Sequence, residues 1–188
     1  MRNINVIDLD RTLIPYDSFR ILVLSYLRGK KYLTPVAFYT LLRKLRIIKA
    51  DTFKYKVLVA LRQDRHYQDM MHDLKNRILS EIRPEIMEII QRETGPDTIN
   101  ILVSASPSDY VNEVAQGLGW PYLASDVING KFIHCYGGEK RELVLSQYPK
   151  HKFMYNFAIS DALSDLSLLE MFRKYKIVKN RHSCMVQK

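Results

Sequence analysis

Carboxylates, one serine and one lysine occupy the positions of this sequence that could carry chemistry. A first acidic pair comes early in the chain, a second comes late, and the serine and lysine lie between them. They are Asp8, Asp10, Ser104, Lys140, Asp161 and Asp165. Two acidic pairs in one crevice repel each other unless a hard cation and the lysine neutralise them, and magnesium accepts one or two carboxylates together with a phosphate oxygen. A carboxylate nucleophile, a metal and a cation that contacts phosphate are parts that phosphoryl transfer uses.

Apolar runs must position these side chains. Taken alone, Asp8 and Asp10 would suit a solvated loop or a helix cap. They end a β-branched run that begins at Ile4, however, and such a run predicts a buried strand. Runs over 98–103 and 153–159 end in the same way, at Ser104 and Asp161. Strands that alternate with helices predict an α/β fold with a doubly wound parallel sheet, whose ligands bind at the carboxyl ends of the strands.

The stretch from 18 to 79 follows a helical period. Its apolar residues recur at steps of three and four, and Gly29 and Thr34-Pro35 indicate breaks between helices. We expect three or four helices that form a separate lobe. Elsewhere the patterns predict a hairpin at Asn129-Gly130, short strands at 122–124 and 176–178, and helices over 84–93, 107–117, 139–147 and 164–174.

Composition is that of a soluble globular protein, with 47% hydrophobic and 26% charged residues. The two cysteines match no zinc or redox spacing and are too few for a disulfide framework. We find no secretory signal, and no apolar stretch approaches the roughly 20 residues that cross a bilayer. These features predict a cytoplasmic protein.

The net charge of +9 is concentrated in one segment. Residues 18–60 hold ten Lys/Arg against one acid, Asp51. Three interpretations stay open: a solvated helix face, peripheral contact with an anionic membrane at its inner face, or nucleic acid binding. The last is disfavoured, because no recognised nucleic-acid motif accompanies the charge.

The motifs resemble those of the haloacid dehalogenase superfamily. Asp8-Leu9-Asp10-Arg11-Thr12 is similar to its first motif, Ser104 with its neighbours to the second, Lys140 to the third and Ser160 to Asp165 to the fourth. The resemblance implies a Rossmann-like core over 1–16 and 83–188. The helical insertion, 17–82, resembles the α-helical cap of the phosphoserine-phosphatase-like branch.

The same resemblance implies a role for each residue. Asp8 would be the nucleophile and a ligand of Mg2+, with Asp161 and the carbonyl of Asp10 as further ligands. Asp10 would act as general acid and base. The phosphate-binding residues would be Ser104, Ala105 and Lys140, together with Thr12, which holds the turn. They would offer hydroxyl, amide and ammonium groups to the phosphate. Asp165 would be the carboxylate that supports the metal site.

Some positions depart from the family's pattern. Ser160 stands where glycine is usual. The phosphoserine enzymes grip their substrate with a Glu soon after the first motif and an Arg in the cap; Asp17 lies near the first position, and 53–60 contains no arginine. The substrate therefore stays open between a small phosphorylated metabolite and a phospholipid headgroup phosphate. A non-hydrolytic phospho-acceptor and a membrane- or partner-binding module are the alternative functions, and the sequence does not predict an oligomeric state.

Overall fold

Apolar runs form the strands of one sheet in a computed structural model of the chain, which describes residues 1–29, 34–179 and 184–187. Within these ranges the sheet has seven strands, in the spatial order β4-β3-β2-β1-β5-β6-β7. They are β1 (Arg2–Ile7), β2 (Thr98–Pro107), β3 (Tyr122–Ile128), β4 (Lys131–Ile133), β5 (Phe153–Ser160), β6 (Lys174–Lys179) and β7 (Cys184–Gln187). Together with the helices, this sheet confirms the predicted α/β fold with a doubly wound, mainly parallel sheet.

The central strands bring the predicted site residues to one edge. β1 pairs in parallel with β2 on one side and with β5 on the other, and Ile7 lies opposite both Leu102 and Ile159. The chain moves outward from β1 through β2 to β3 and then crosses to β5 on the other side. A crevice opens at the carboxyl ends of strands where the order reverses in this way.

Helices cover both faces of the sheet. The segment between β1 and α5 contributes α1 (Ser18–Gly29), α2 (Pro35–Lys44), α3 (Ala50–Arg62) and α4 (Tyr67–Ser80); the rest are α5 (Pro84–Arg92), α6 (Ser108–Leu118), α7 (Gly137–Gln147) and α8 (Leu166–Leu169). Side chains alternate across the strands. Ile7 belongs to the apolar cluster shared with α1 to α6, whereas Val6 belongs to the cluster shared with α7 and α8. None of the helices in the described ranges is long and apolar enough to span a bilayer.

The breaks between the first helices fall where the sequence predicts them. α1 ends at Gly29, and Thr34 caps α2 by accepting a hydrogen bond from the Ala37 N–H to its Oγ1, at 3.2 Å. Lys30, Lys31 and Tyr32, which belong to the predicted basic segment, lie outside the described residues. The predicted hairpin is confirmed, since Asn129 and Gly130 have φ values of 51° and 73° between β3 and β4.

One prediction near the C-terminal end is wrong, and one strand there was not predicted. The helix expected over 164–174 is only a 3₁₀ turn followed by α8 (Leu166–Leu169). The chain returns early to the sheet, because the Arg173 N–H donates to the Tyr155 carbonyl at 2.9 Å and the Phe172 ring stacks on Tyr155. β6 therefore begins at Lys174, and the following antiparallel strand β7 has no counterpart among the predicted elements.

Candidate active site

A wide turn after β1 presents the first acidic pair. The Ile14 N–H donates to the Leu9 carbonyl at 3.1 Å, and Arg11 takes up a left-handed backbone conformation with φ of 58°. Leu9, Leu13 and Ile14 are fully buried in the core. Because these apolar side chains anchor the turn, Asp8 and Asp10 are held at the crevice.

Asp8 accepts two hydrogen bonds inside the crevice. Lys140 Nζ lies 2.8 Å from its Oδ1, and Thr12 Oγ1 donates to its Oδ2 at 2.9 Å. The same Thr12 oxygen accepts the Asp161 N–H at 2.8 Å, so one hydroxyl ties the end of β1 to the end of β5. Burial raises the pKa of Asp8 above its usual range, against the opposing effect of the Lys140 ammonium.

Lys140 bridges the two acidic pairs. It lies in the first turn of α7 and is 2% exposed, with its Nζ 2.7 Å from Asp165 Oδ2 as well as 2.8 Å from Asp8. Burial alone would lower the pKa of Lys140, but the two carboxylates outweigh burial and raise it. Ser160 donates to the same Asp165 oxygen at 2.8 Å, so the serine that departs from the family's glycine helps to fix Asp165.

Asp10 is held by a group of hydroxyls that the sequence did not reveal. The Ser18 N–H donates to its Oδ1 at 2.7 Å, and Ser106 Oγ donates to its Oδ2 at 2.5 Å. Ser18 Oγ in turn lies 3.1 Å from Ser106 Oγ and 2.8 Å from the Tyr110 hydroxyl. Burial, with a smaller contribution from Asp17, raises the pKa of Asp10 to about 6. A carboxyl group with such a pKa can both give and take a proton near neutral pH.

The end of β2 forms one wall of the crevice. Ala105 lines the pocket, whereas Ser104 is fully buried and its Oγ accepts the Ser106 N–H at 3.1 Å. Thr12, in the turn after β1, is likewise fully buried. The structure therefore places the Ser104 and Thr12 side chains where they support the pocket rather than line it.

The crevice is a pocket of about 170 Å³. Six of the predicted site residues line it, namely Asp8, Asp10, Ala105, Lys140, Asp161 and Asp165. Lys54 and Tyr136 line it too and were not predicted as site residues. Lys54 comes from α3, and its Nζ donates to the Ala105 carbonyl at 3.0 Å, which joins the cap helices to the end of β2. Lys54 was one of the ten basic residues of 18–60, with no signal in the sequence to distinguish it.

The donor set suits magnesium. Asp8 and Asp161 both line the pocket and offer the hard oxygen ligands that magnesium prefers. Burial and the neighbouring Asp8 raise the pKa of Asp161 to about 6, a repulsion that a cation would relieve. The Asp10 carboxylate is held by Ser18 and Ser106, and its backbone carbonyl is the ligand that the family resemblance implies. The described residues contain no cluster of three or more metal-binding side chains; magnesium held by one or two carboxylates keeps several waters.

The fold and the crevice together define a class of α/β enzymes in which acidic strand ends surround a pocket beneath inserted helices. A model of the haloacid dehalogenase-like hydrolase family matches residues 6–170. The chain belongs to this family, and the resemblance found in its motifs is confirmed.

Solved structures share the fold at low sequence identity. A protein of unknown function from Bordetella pertussis Tohama I superposes with a TM-score of 0.71 at 16% identity, covering 93% of this chain and 89% of its own. A phosphoserine phosphohydrolase-like protein from Francisella tularensis gives 0.58 at 20%, covering 93% and 86%. Phosphoserine phosphatase from T. onnurineus gives 0.53 at 18%, covering 93% and 82%. No curated protein matches the sequence significantly.

Proposed function

We propose that the protein is a magnesium-dependent phosphatase that hydrolyses phosphomonoesters through a phosphoaspartate on Asp8. The observation that carries this proposal is the arrangement of Asp8 and Asp10 in one pocket: Asp8 faces the Lys140 ammonium, and Asp10 is held by the Ser18 N–H and the Ser106 hydroxyl. One carboxylate is thus placed for attack and the other for proton transfer. A phospho-acceptor without turnover would have no use for the second.

The reaction would proceed in two displacements. An Asp8 carboxylate oxygen attacks phosphorus, the bond from phosphorus to the ester oxygen breaks, and the Asp10 carboxyl group protonates the leaving alkoxide. Asp10, now ionised, then takes a proton from water as the water oxygen attacks the same phosphorus. Phosphate leaves, Asp8 is regenerated and Asp10 is protonated again.

Other residues would stabilise charge in both steps. Lys140 neutralises negative charge on the phosphoryl oxygens and on Asp8. The Ala105 amide and Ser104 belong to the loop that contacts the phosphoryl group. Asp8, Asp161 and the Asp10 carbonyl would hold Mg2+, with Asp165 as the supporting carboxylate through its contact with Lys140. The metal, when bound, supplies positive charge to the transferring phosphoryl group.

The proposed division of the chain is a catalytic core over 1–16 and 83–188 and a helical cap over 17–82. The Arg83 N–H donates to the Leu13 carbonyl at 2.9 Å, so the two segments that enter and leave the cap lie side by side. This pairing supports boundaries near 16 and 83. The small pocket beneath the cap favours a phosphate ester of a compact alcohol or headgroup.

An Asp10→Asn variant tests the proton-transfer role. With p-nitrophenyl phosphate and Mg2+, we expect a rapid burst of about one nitrophenol per active site, because this leaving group needs no proton. Steady turnover should then fall by roughly 10²- to 10⁴-fold, since water is no longer activated. Stopped-flow absorbance measures both phases.

The asparagine can keep the contacts of the native side chain. Its carbonyl can accept the Ser18 N–H and its amide can donate to Ser106 Oγ, so the fold should persist. Asp69→Asn, on exposed α4, is the matched control and should leave the rate unchanged. A variant that turns over at the native rate, without a burst, would remove Asp10 from the mechanism.

Lys54 is the proposed contact between the cap and the substrate's leaving group. Lys54→Met should raise KM by about tenfold for a substrate whose leaving group carries a carboxylate, such as phosphoserine, and by less for p-nitrophenyl phosphate, whose leaving group offers Lys54 no carboxylate. The measurement is KM and kcat for both substrates. Lys56→Met, on the exposed side of the same helix, is the control, and equal effects of the two variants would contradict the assignment.

A further inference from the structure

One side of α2 and the loop after it expose large apolar side chains. Phe38, Leu41, Leu45 and Ile47 are 56%, 53%, 59% and 64% exposed, and we call them the α2 face. Val36, on the other side of the helix, is fully buried. The helix therefore buries one apolar side in the protein and presents a second one to solvent.

Helical geometry brings three of the four members of the α2 face together. Phe38, Leu41 and Leu45 are three, four and seven residues apart, a spacing that places them on one side of a helix. Single exposed apolar residues are normal on protein surfaces, but a contiguous group with a charged border marks an interaction site. The α2 face is therefore suited to a partner with an apolar component.

The border of the α2 face is basic. Arg43, Lys44, Arg46 and Lys49 are all exposed, and no acidic residue occurs anywhere between 18 and 50. Among the described residues, none of these four cations forms an ion pair with a carboxylate; Arg43 instead donates to the Ile48 carbonyl. Asp51, the first acid after this stretch, faces His134 at 3.0 Å. The positive charge around the α2 face is therefore not compensated within the described part of the protein.

We propose that the α2 face docks on the surface of an anionic lipid bilayer. Its apolar side chains would enter the boundary between headgroups and acyl chains, and the basic border would contact the phosphates, which is how basic amphipathic helices bind membranes. A second copy of the chain is a poorer occupant, because it would bring an identical basic border against this one. Nucleic acid would pair with the charge but would leave the aliphatic side chains of Leu41, Leu45 and Ile47 without an apolar partner.

Docking would place the active site near lipid headgroups. α2 packs on α3, and α3 carries Lys54 into the pocket. The docking surface and the pocket use different residues, however. Membrane binding can therefore be tested independently of the proposed phosphatase activity, and an Asp8→Asn variant should bind vesicles as the native protein does.

Vesicle co-sedimentation of the full chain tests the proposal. We expect binding to phosphatidylcholine vesicles that contain about 30% phosphatidylglycerol at roughly 0.05 M salt, much weaker binding at roughly 0.5 M, and little binding to phosphatidylcholine alone. Lys44→Gln with Lys49→Gln should reduce the partition coefficient about 20-fold, since each Lys or Arg near an anionic membrane surface adds to the free energy of binding. Phe38→Ser with Leu41→Ser should reduce it about tenfold or more through lost apolar burial.

Matched controls come from exposed residues outside 17–82. Met154→Ser removes an equally exposed apolar side chain, and Lys131→Gln with Lys152→Gln removes two exposed cations; both should bind like the native protein. Circular dichroism establishes that each variant is folded. Equal binding to neutral and anionic vesicles, or no loss in the α2 variants, would overturn the proposal. Two further results would overturn it. One is dimerisation without vesicles, seen by sedimentation velocity, that the Phe38→Ser, Leu41→Ser variant abolishes. The other is binding of a single-stranded oligonucleotide in place of vesicles.

Discussion

Asp8→Asn should abolish hydrolysis of p-nitrophenyl phosphate in the presence of Mg2+, lowering kcat/KM by at least roughly 10⁴-fold. The amide cannot attack phosphorus as a carboxylate does, and a lost nucleophile is not replaced by the rest of the site. The substitution preserves shape: the amide oxygen can face Lys140 and the amide nitrogen can donate to Thr12 Oγ1. The variant should therefore fold, and steady-state phosphate release measures the loss.

A chemical trap separates the phosphatase from its alternative. Native protein quenched in acid during turnover should carry covalent phosphate that hydroxylamine removes, as an acyl phosphate does, and Asp8→Asn should carry none. Native protein that stays phosphorylated on Asp8 without releasing phosphate would support the phospho-acceptor instead. Activity that persists in Asp8→Asn would refute the assignment of the nucleophile.

Lys140→Met should give the largest loss of stability among single substitutions in the site, about 3–5 kcal/mol in the free energy of unfolding. Methionine matches the length of the lysine stem but leaves Asp8 and Asp165 buried without their shared cation. Breaking one side of a buried ion pair is costly because the remaining charges stay desolvated. Urea denaturation, without added metal, measures the change.

Lys174→Met provides the comparison. Lys174 pairs with Glu93 at 2.9 Å, but its side chain is 45% exposed, so the loss should stay below about 1 kcal/mol. Catalysis should be unaffected in Lys174→Met and should fall steeply in Lys140→Met, because only the second lysine contacts Asp8. Similar costs for the two variants would mean that Lys140 contributes little to holding the acidic pairs together.

The sequence predicted the site wherever local pattern and sheet geometry coincide. Asp8 and Asp161 follow apolar runs, and parallel strands bring such ends to one edge. The hydroxyls around Asp10 had no comparable signal. Ser18 meets Ser106 and Tyr110 across 88 and 92 residues of sequence, contacts that depend on how α1, β2 and α6 pack. A serine at the start of a helix is too common to suggest a role in catalysis.

Most elements of the fold could also be predicted from the sequence, with one failure near the C-terminal end. Strand and helix periods predicted the central sheet and the three or four helices of 18–79, because burial imposes those periods on the sequence. They failed between β5 and β6, where the apolar residues that follow Asp165 have helical spacing but serve to bring the chain back to the sheet. Tertiary contacts there outweigh local preference.

The attachment of Ser18 to Asp10 links proton transfer to the position of α1. Ser18 is the first residue of that helix, and both its backbone N–H and its hydroxyl belong to the group that holds the carboxyl. A displacement of α1 that admitted substrate or released phosphate would withdraw the N–H from Asp10, and this hydrogen bond is one of those that lower the pKa of Asp10 against the effect of burial. Asp10 would have the hydrogen bonds described above only while α1 stays packed in this position. Access to the pocket and the proton affinity of Asp10 would then both depend on the position of α1.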